Sequence, residues 1–136
     1  MRSTPWEVLS KQARDGFNIV IEKHYEELHP RDLFDTSINP DTGKPYYDVD
    51  QMCRDIDSGD LDWFILRVRV LLDDVELGSD IVGGFLYEDA RDVLTDGVAE
   101  DMIWTAMAEA EKRVVKLADS FSLKAMQLSV DKQTIR

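Results

Sequence analysis

Four closely spaced aspartates, Asp55, Asp57, Asp60 and Asp62, form the group of side chains that comes nearest to a chemical motif. Spaced carboxylates are the ligands that a hard cation such as Ca²⁺ requires. The run departs from the EF-hand loop, because Asp60 stands where that loop has glycine and Leu66 where it has its last glutamate. We interpret the run as a solvated acidic turn and expect neither a metal nor a cofactor.

Residue types that act as nucleophiles or bases are scarce. A spacing of five places His24 and His29 about 140° apart on a helix, so they cannot hold one ion together. Cys53 follows Met52 on an apolar helical stripe, which is typical of a small core residue. Residues 78–84 contain glycines but lack the Gly-Lys-Ser/Thr ending of a phosphate loop. We expect no enzymatic activity.

The most unusual property of the composition is its large negative net charge. The 136 residues include 28 acidic and 16 basic side chains, which gives a net charge of −12. Residues 26–62 carry −8 and residues 73–111 carry −11, whereas residues 112–136 carry +4. Binding to a phosphate backbone demands cations, so we expect no direct contact with nucleic acid.

Composition and hydropathy bound the class of protein. A hydrophobic fraction of 43% and a charged fraction of 32% are typical of a globular domain, and we expect one domain over residues 1–136. The N-terminus lacks the apolar run of a signal peptide, and Cys53 is the single cysteine. The longest apolar stretch, 63–72, is too short to span a membrane. These features predict a cytoplasmic protein without membrane contact.

The first quarter of the chain is predicted to be one long helix. Thr4-Pro5-Trp6-Glu7 matches a capping box, and apolar residues recur in steps of three and four as far as Leu28. The His29-Pro30 pair ends this helix, because the residue before a proline avoids the helical conformation. Turn formers then dominate residues 31–48 and predict a long surface loop with a tight turn near Gly43.

The middle of the chain is predicted to contain a short helix and a hairpin. Asp48 can cap a helix that ends at Ser58-Gly59. Strict alternation over 63–72 then predicts a strand with one apolar face, and Asp73-Asp74 predicts the turn of an antiparallel hairpin over about 62–87. Glycines at 78 and at 83–84 indicate bulges or bends in the return strand.

The C-terminal part is predicted to be mainly helical. Residues 88–94 favour a short helix, and the stripe that follows Asp96-Gly97 predicts a long one. Residues 121–130 are compatible with a continuation of this helix or with a last strand. The fold class is therefore α+β, in which two long helices pack on a small antiparallel sheet with one or two short helices.

Charge distribution favours an acidic protein-binding module. Two negative blocks create a field that steers association with a basic partner. In size and composition the chain is similar to small acidic inhibitors from phages and plasmids, such as anti-CRISPR and anti-restriction proteins, and to nuclease immunity proteins. This similarity implies a nucleic-acid mimic that occupies the basic surface of a nucleic-acid-handling protein. The expected contact residues are Asp55, Asp57, Asp60, Asp62, Asp89, Asp92, Asp96, Glu100, Asp101 and Trp104.

Two other functions are compatible with the sequence. The first is a metal-binding domain or metal-dependent hydrolase that uses the run Asp55 to Asp62 with Asp48 or Asp50. The second is a scaffolding subunit held by apolar contact through Trp104 and the Tyr46-Tyr47 loop. Trp104 lies one residue past Ile103, off the apolar stripe, and either belongs to an exposed binding surface or packs against the edge of the sheet.

Overall fold

A computed structural model describes residues 5–134 of the chain, with side chains up to Asp131. Four strands and three α-helices form the α+β fold that the sequence predicts. Their order is β1 (Glu7–Arg14), β2 (Phe17–Tyr25), α1 (Pro30–Leu33), α2 (Val49–Ser58), β3 (Asp62–Leu72), β4 (Val75–Tyr87), a 3₁₀ helix (Ala90–Leu94) and α3 (Val98–Thr134).

The strands form one antiparallel sheet in the order β1-β2-β3-β4. Both outer hairpins close through two-residue turns, Asp15-Gly16 and Asp73-Asp74, in which all four residues have positive φ. Two successive positive φ angles define the turn whose twist matches that of the flanking strands. Strands β2 and β3 pair across the long connection, so each strand pairs with the next one along the chain.

The predicted helix over 5–28 is wrong, because this segment is the hairpin β1–β2. Asp15-Gly16 is a strong hairpin signal, and the β-branched run Ile19-Val20-Ile21 prefers a strand. Ile19 is fully buried although it lay off the predicted helical stripe. Thr4, the proposed cap, lies outside the described residues. One long helix, α3, therefore packs on the sheet instead of two.

The predicted hairpin over 62–87 is confirmed. Val68 and Val70 lie on the buried face of β3, as the alternation requires. The pairing with β4 shifts register twice, once opposite Gly83-Gly84 and once beside Gly78. These glycines therefore mark the irregular positions of β4, as the sequence indicated.

The long connection between β2 and β3 also agrees with the prediction. It turns at Gly43, where Asn39 and Lys44 pair through their backbones at 2.8 Å. The Asp48 side chain accepts a hydrogen bond from the Gln51 N–H and starts α2, and the helix ends at Gly59. The one departure is the single helical turn α1 (Pro30–Leu33) at the start of the loop.

Helix α3 covers one face of the sheet. It packs mainly against β4 and β3, and the segment 121–130 continues it as helix. Apolar side chains from the sheet, the 3₁₀ helix and the first half of α3 form the core. The buried members are Ile19, Ile21, Phe64, Leu66, Val68, Val70, Leu77, Ala90, Val93, Ala99, Met102, Ile103, Ala106, Met107 and Ala110.

The opposite face of the sheet carries buried charge. Glu22 lies there with its side chain 4% exposed, and its Oε1 accepts hydrogen bonds from Arg67 Nε at 2.7 Å and Arg69 Nε at 2.6 Å. The Arg67 guanidinium also stacks on the Trp6 ring at 3.9 Å. Buried carboxylates are tolerated when they are paired in this way.

A second buried carboxylate joins the long connection to the sheet. Glu26 Oε1 accepts from the Leu28 N–H at 3.1 Å, and its Oε2 accepts from the Gly84 N–H at 3.0 Å. Trp63 adds a hydrogen bond from its indole N–H to the Leu28 carbonyl at 2.8 Å. These bonds hold the start of the loop against β3 and β4.

Within residues 5–134, no helix combines the length and the hydropathy required to cross a bilayer.

Candidate functional site

The two acidic blocks of the sequence meet at a cleft of about 360 Å³, which we call the acidic cleft. One wall is the segment from the end of α2 to the start of β3, and the other is residues 88–91 after β4. Residues of β1 and β2 line its side. The charged lining residues are Glu7, Lys23, Asp62, Glu88, Asp89 and Arg91.

Lys23 is the cation at the side of the cleft, and it is already paired. Its ammonium group hydrogen bonds to the Asp62 carboxylate and lies 3.5 Å from Glu7 Oε2. Partial burial opposes its charge and is the largest single effect, but the hydrogen bond and attraction to Asp62 outweigh it, so the pKa of Lys23 is raised. Lys23 stays charged and neutralises the carboxylates nearest to it.

The predicted contact residues of the first acidic block lie along the first wall. Asp57 and Asp60 are exposed, and Asp60 accepts a hydrogen bond from Ser58 Oγ at 3.1 Å. Asp55 is half-buried and accepts from Gln51 Nε2 at 2.9 Å. Asp62 lines the cleft itself. The structure therefore places Asp62 in the acidic cleft, whereas Asp57 and Asp60 face solvent on the segment that forms the first wall.

The second wall is built by the 3₁₀ helix. Asp89 caps it by accepting a hydrogen bond from the Arg91 N–H at 2.9 Å, and Asp92 lies exposed in its first turn. Apolar anchoring comes from Ala90 and Val93, which are buried in the core. The carboxylates of this wall therefore lie on or beside a short helix that is anchored in the core.

Asp96 ends the same segment and holds the start of α3. It accepts hydrogen bonds from the Tyr87 hydroxyl and from the Val98 N–H, the latter at 3.0 Å. These two bonds, the tyrosine first, lower the pKa of the Asp96 carboxyl. The same contact raises the pKa of Tyr87 to about 12, with burial as the second cause.

We expect Asp96→Asn to bring the titration of Tyr87 back toward the ordinary value near 10. The raised pKa means that the fold favours the protonated phenol, so the contact stabilises the protein below pH 10 and is lost as the pH rises toward 12. Alkaline titration of tyrosinate absorbance checks this, with Tyr87→Phe to assign the late step. Asp92→Asn, which removes only the smallest contribution to the raised pKa, should shift the titration of Tyr87 much less.

Trp104 lies on a separate groove of about 210 Å³ beside α3. Its side chain is 72% exposed, which excludes the alternative that it packs against the sheet edge. Glu100, one turn earlier, accepts two hydrogen bonds from Arg14 at 2.6 and 3.1 Å. This pair lowers the pKa of Glu100 and raises that of Arg14. Asp101 is exposed on the same turn of the helix.

Cys53 and His29 are in contact, a pair that the sequence did not predict. His29 Nδ1 accepts from the Arg31 N–H at 3.1 Å, and its Nε2 lies 3.5 Å from Cys53 Sγ. Because Nδ1 is an acceptor, the neutral ring carries its proton on Nε2 and donates toward the sulfur. His29 therefore cannot take the thiol proton as the base of a cysteine nucleophile would.

No metal centre is evident in the described part of the chain. Among residues 5–134, no group of three or more histidine, cysteine, aspartate or glutamate residues is arranged to hold an ion. Asp48 caps α2 and Asp50 pairs with Arg31 at 3.1 Å, so these two proposed outlying ligands have other roles. The metal-site alternative gains no support from the geometry.

Sequence reasoning missed the strand residues of the acidic cleft. Glu7 and Lys23 had been assigned to a helix, whereas they face each other as register partners on β1 and β2. The Asp15-Gly16 turn was the signal that could have found them, because a two-residue hairpin fixes the pairing of its strands. Arg91 and Glu88 were visible in the sequence but not recognised as cleft residues.

Comparison of the chain with protein-family models, with curated proteins and with solved structures gave no match. The function is therefore inferred from the geometry and charge of the acidic cleft and of the Trp104 groove.

Proposed function

We propose that this protein is an acidic protein-binding module that engages the basic surface of a nucleic-acid-handling partner and inhibits it by occupying that surface. The observation that carries the proposal is the acidic cleft, where walls from both acidic blocks face each other. A surface of this kind attracts cationic groups and repels competing polyanions.

The excess of carboxylates at the walls is large. Residues 55–62 and 88–92, the segments that contain the two walls, hold seven acidic side chains and one basic side chain, Arg91. Three of the seven, Asp62, Glu88 and Asp89, line the cleft itself. Lys23 contributes little positive potential at the cleft surface, because it is paired with Asp62 and Glu7. Carboxylates gathered in this way repel one another in the free protein. Arginine and lysine side chains of a partner would relieve that repulsion and gain charge-assisted hydrogen bonds.

We expect Asp57→Lys combined with Asp60→Lys to slow association with the partner by about tenfold or more, because the steering field is reversed on the segment that forms the first wall. The partner is first captured from an extract of the native host at low salt and eluted with a salt gradient. Stopped-flow association at several salt concentrations then measures the on-rate, and the dissociation rate should change less than the on-rate. Addition of the unmodified protein should displace nucleic acid from the captured partner.

The matched control is Asp41→Lys combined with Asp119→Lys. It changes the net charge by the same amount, and both residues are exposed and lie outside residues 55–62 and 88–92, the segments that contain the two walls. Equal slowing by the two double variants would mean that net charge alone matters and would remove the cleft from the proposal. A partner that stays bound in high salt would also count against electrostatic recognition.

A scaffolding role is the second candidate, and the exposure of Trp104 favours it. An indole that is 72% exposed beside a groove offers a large contact area at low entropic cost. This role predicts association that is insensitive to salt and is lost in Trp104→Ala. The inhibitor role predicts association that weakens strongly with salt and depends less on Trp104.

A further inference from the structure

The second half of α3 extends beyond the sheet. Ala110 is the last fully buried residue of the helix and Val114 the last half-buried one, and all residues from Val115 to Asp131 are exposed. At 1.5 Å per residue, the exposed part is about 25 Å long. Isolated helices of this length are marginally stable in water. A helix that projects in this way is therefore expected to pack against something else.

One face of the projecting part is apolar and continues the face that packs on the sheet. Ile103 and Ala110 lie on the buried face, and the same steps of three and four then lead to the residues of the tail stripe. We define the tail stripe as Val114, Leu117, Ala118, Phe121, Ala125 and Leu128. Phe121 is 67% exposed and Leu128 49% exposed. Contiguous apolar surface of this kind marks an interaction site.

We propose that the tail stripe is a dimerisation surface, on which two copies of this chain pack their α3 helices antiparallel around Phe121. Charge distribution favours a second copy in the antiparallel orientation. Residues 1–111 carry −16, whereas residues 117–134 carry no net charge, so an antiparallel pair places the neutral far half of each helix, and not a second acidic body, beside the body of the other copy. A parallel pair would instead place two bodies of −16 side by side.

The flanks of the stripe support the same orientation. Arg113 and Asp131 are eighteen residues apart, which is five turns, so both lie along one flank of the stripe. In an antiparallel pair centred near Phe121, Arg113 of each copy lies beside Asp131 of the other copy. Among the described residues, the partner of Arg113 within its own chain is Glu109, at 4.0 Å. In a parallel pair, Arg113 would lie at the same height as Arg113 of the other copy, and Asp131 at the same height as Asp131. Neither side chain would then face an opposite charge.

The test is the solution mass of the full chain and of two matched variants. Phe121 and Leu123 are 67% and 69% exposed on different faces of the same helix, and neither belongs to the core. We expect sedimentation velocity to give twice the 15.6 kDa chain mass for the unmodified protein. Phe121→Asp should weaken the dimer by at least about 100-fold, because it buries two carboxylates at the centre of the interface. Leu123→Asp should leave the mass unchanged.

The orientation is tested by disulfide trapping in a Cys53→Ser background. A mixture of Leu117→Cys and Ala125→Cys chains should form the mixed disulfide, because these positions face each other only in the antiparallel pair. Faster formation of the Leu117→Cys homodisulfide would overturn the antiparallel arrangement. Reversal of one flank charge, Arg113→Glu or Asp131→Lys, should weaken the dimer, and the two together should restore it.

Two results would overturn the proposal as a whole. The first is a monomer at every concentration for the unmodified chain, and the second is equal weakening by Phe121→Asp and Leu123→Asp. Circular dichroism and tryptophan fluorescence of the variants verify that the folded body is intact. The outcome is independent of the acidic cleft, because none of these substitutions lies in it.

Discussion

Gly78→Ala is expected to destabilise the protein by about 3 kcal/mol or more, enough to lower the melting temperature by about 10 °C. A Cβ atom at position 78 would lie 2.1 Å from the carbonyl oxygen of Ala106 and 2.9 Å from the amide nitrogen of Ala110. Both atoms belong to the backbone of α3, so no change of side-chain rotamer relieves the clash. The helix would have to move away from β4.

Urea denaturation of Gly78→Ala and Ser79→Ala measures this effect. Ser79 is the next residue of β4, half-buried, and its side chain points to the other side of the sheet, so its replacement should cost less than about 0.5 kcal/mol. A cost below about 1 kcal/mol for Gly78→Ala would contradict the close approach of α3 to β4. If Gly78→Ala yields no folded protein, that result would agree with the close approach. A stable Ser79→Ala variant would then show that β4 itself tolerates substitution.

Elements with one dominant local signal could be predicted from the sequence. Strand β3 alternates strictly, helix α2 begins at an aspartate cap and ends before a glycine, and α3 has a long apolar stripe. The hairpin β1–β2 could not be separated from a helix by apolar spacing alone. Leu9, Ala13 and Phe17 are four apart, and a spacing of four fits one face of a strand as well as one face of a helix. Turn chemistry at Asp15-Gly16 decides between them.

The candidate site was predictable in its charge but not in its pairing. The carboxylates of both walls follow from local sequence, because each wall is a short turn next to a regular element. The contacts of Lys23 with Asp62, and of His29 with Cys53, join residues that are 39 and 24 positions apart. Such contacts depend on the order of strands and on the path of a long loop, and neither can be read from composition or charge blocks.

Removal of the charge of Glu22 is expected to be the second most damaging single change. Glu22→Gln keeps the size of the side chain but leaves Arg67 and Arg69 without their shared carboxylate on the open face of the sheet. Removal of one partner from a buried ion pair costs several kcal/mol. The arginine side chains are 24% and 29% exposed, so water recovers part of that cost. We expect a loss of about 2 kcal/mol in the free energy of unfolding.

Glu76→Gln provides the matched control, because Glu76 also faces Arg69, at 3.9 Å, but its side chain is 47% exposed. A solvent-exposed pair of this kind contributes less than about 0.5 kcal/mol. Urea denaturation of both variants, repeated at high salt, separates the two cases: the cost of Glu22→Gln should persist, since the pair is shielded from ions, whereas any cost of Glu76→Gln should vanish. Equal costs for the two variants would contradict the burial of Glu22. Combination of Glu22→Gln with Arg67→Met should cost less than the sum of the single changes, because the second change removes one of the two arginine charges that shared the Glu22 carboxylate.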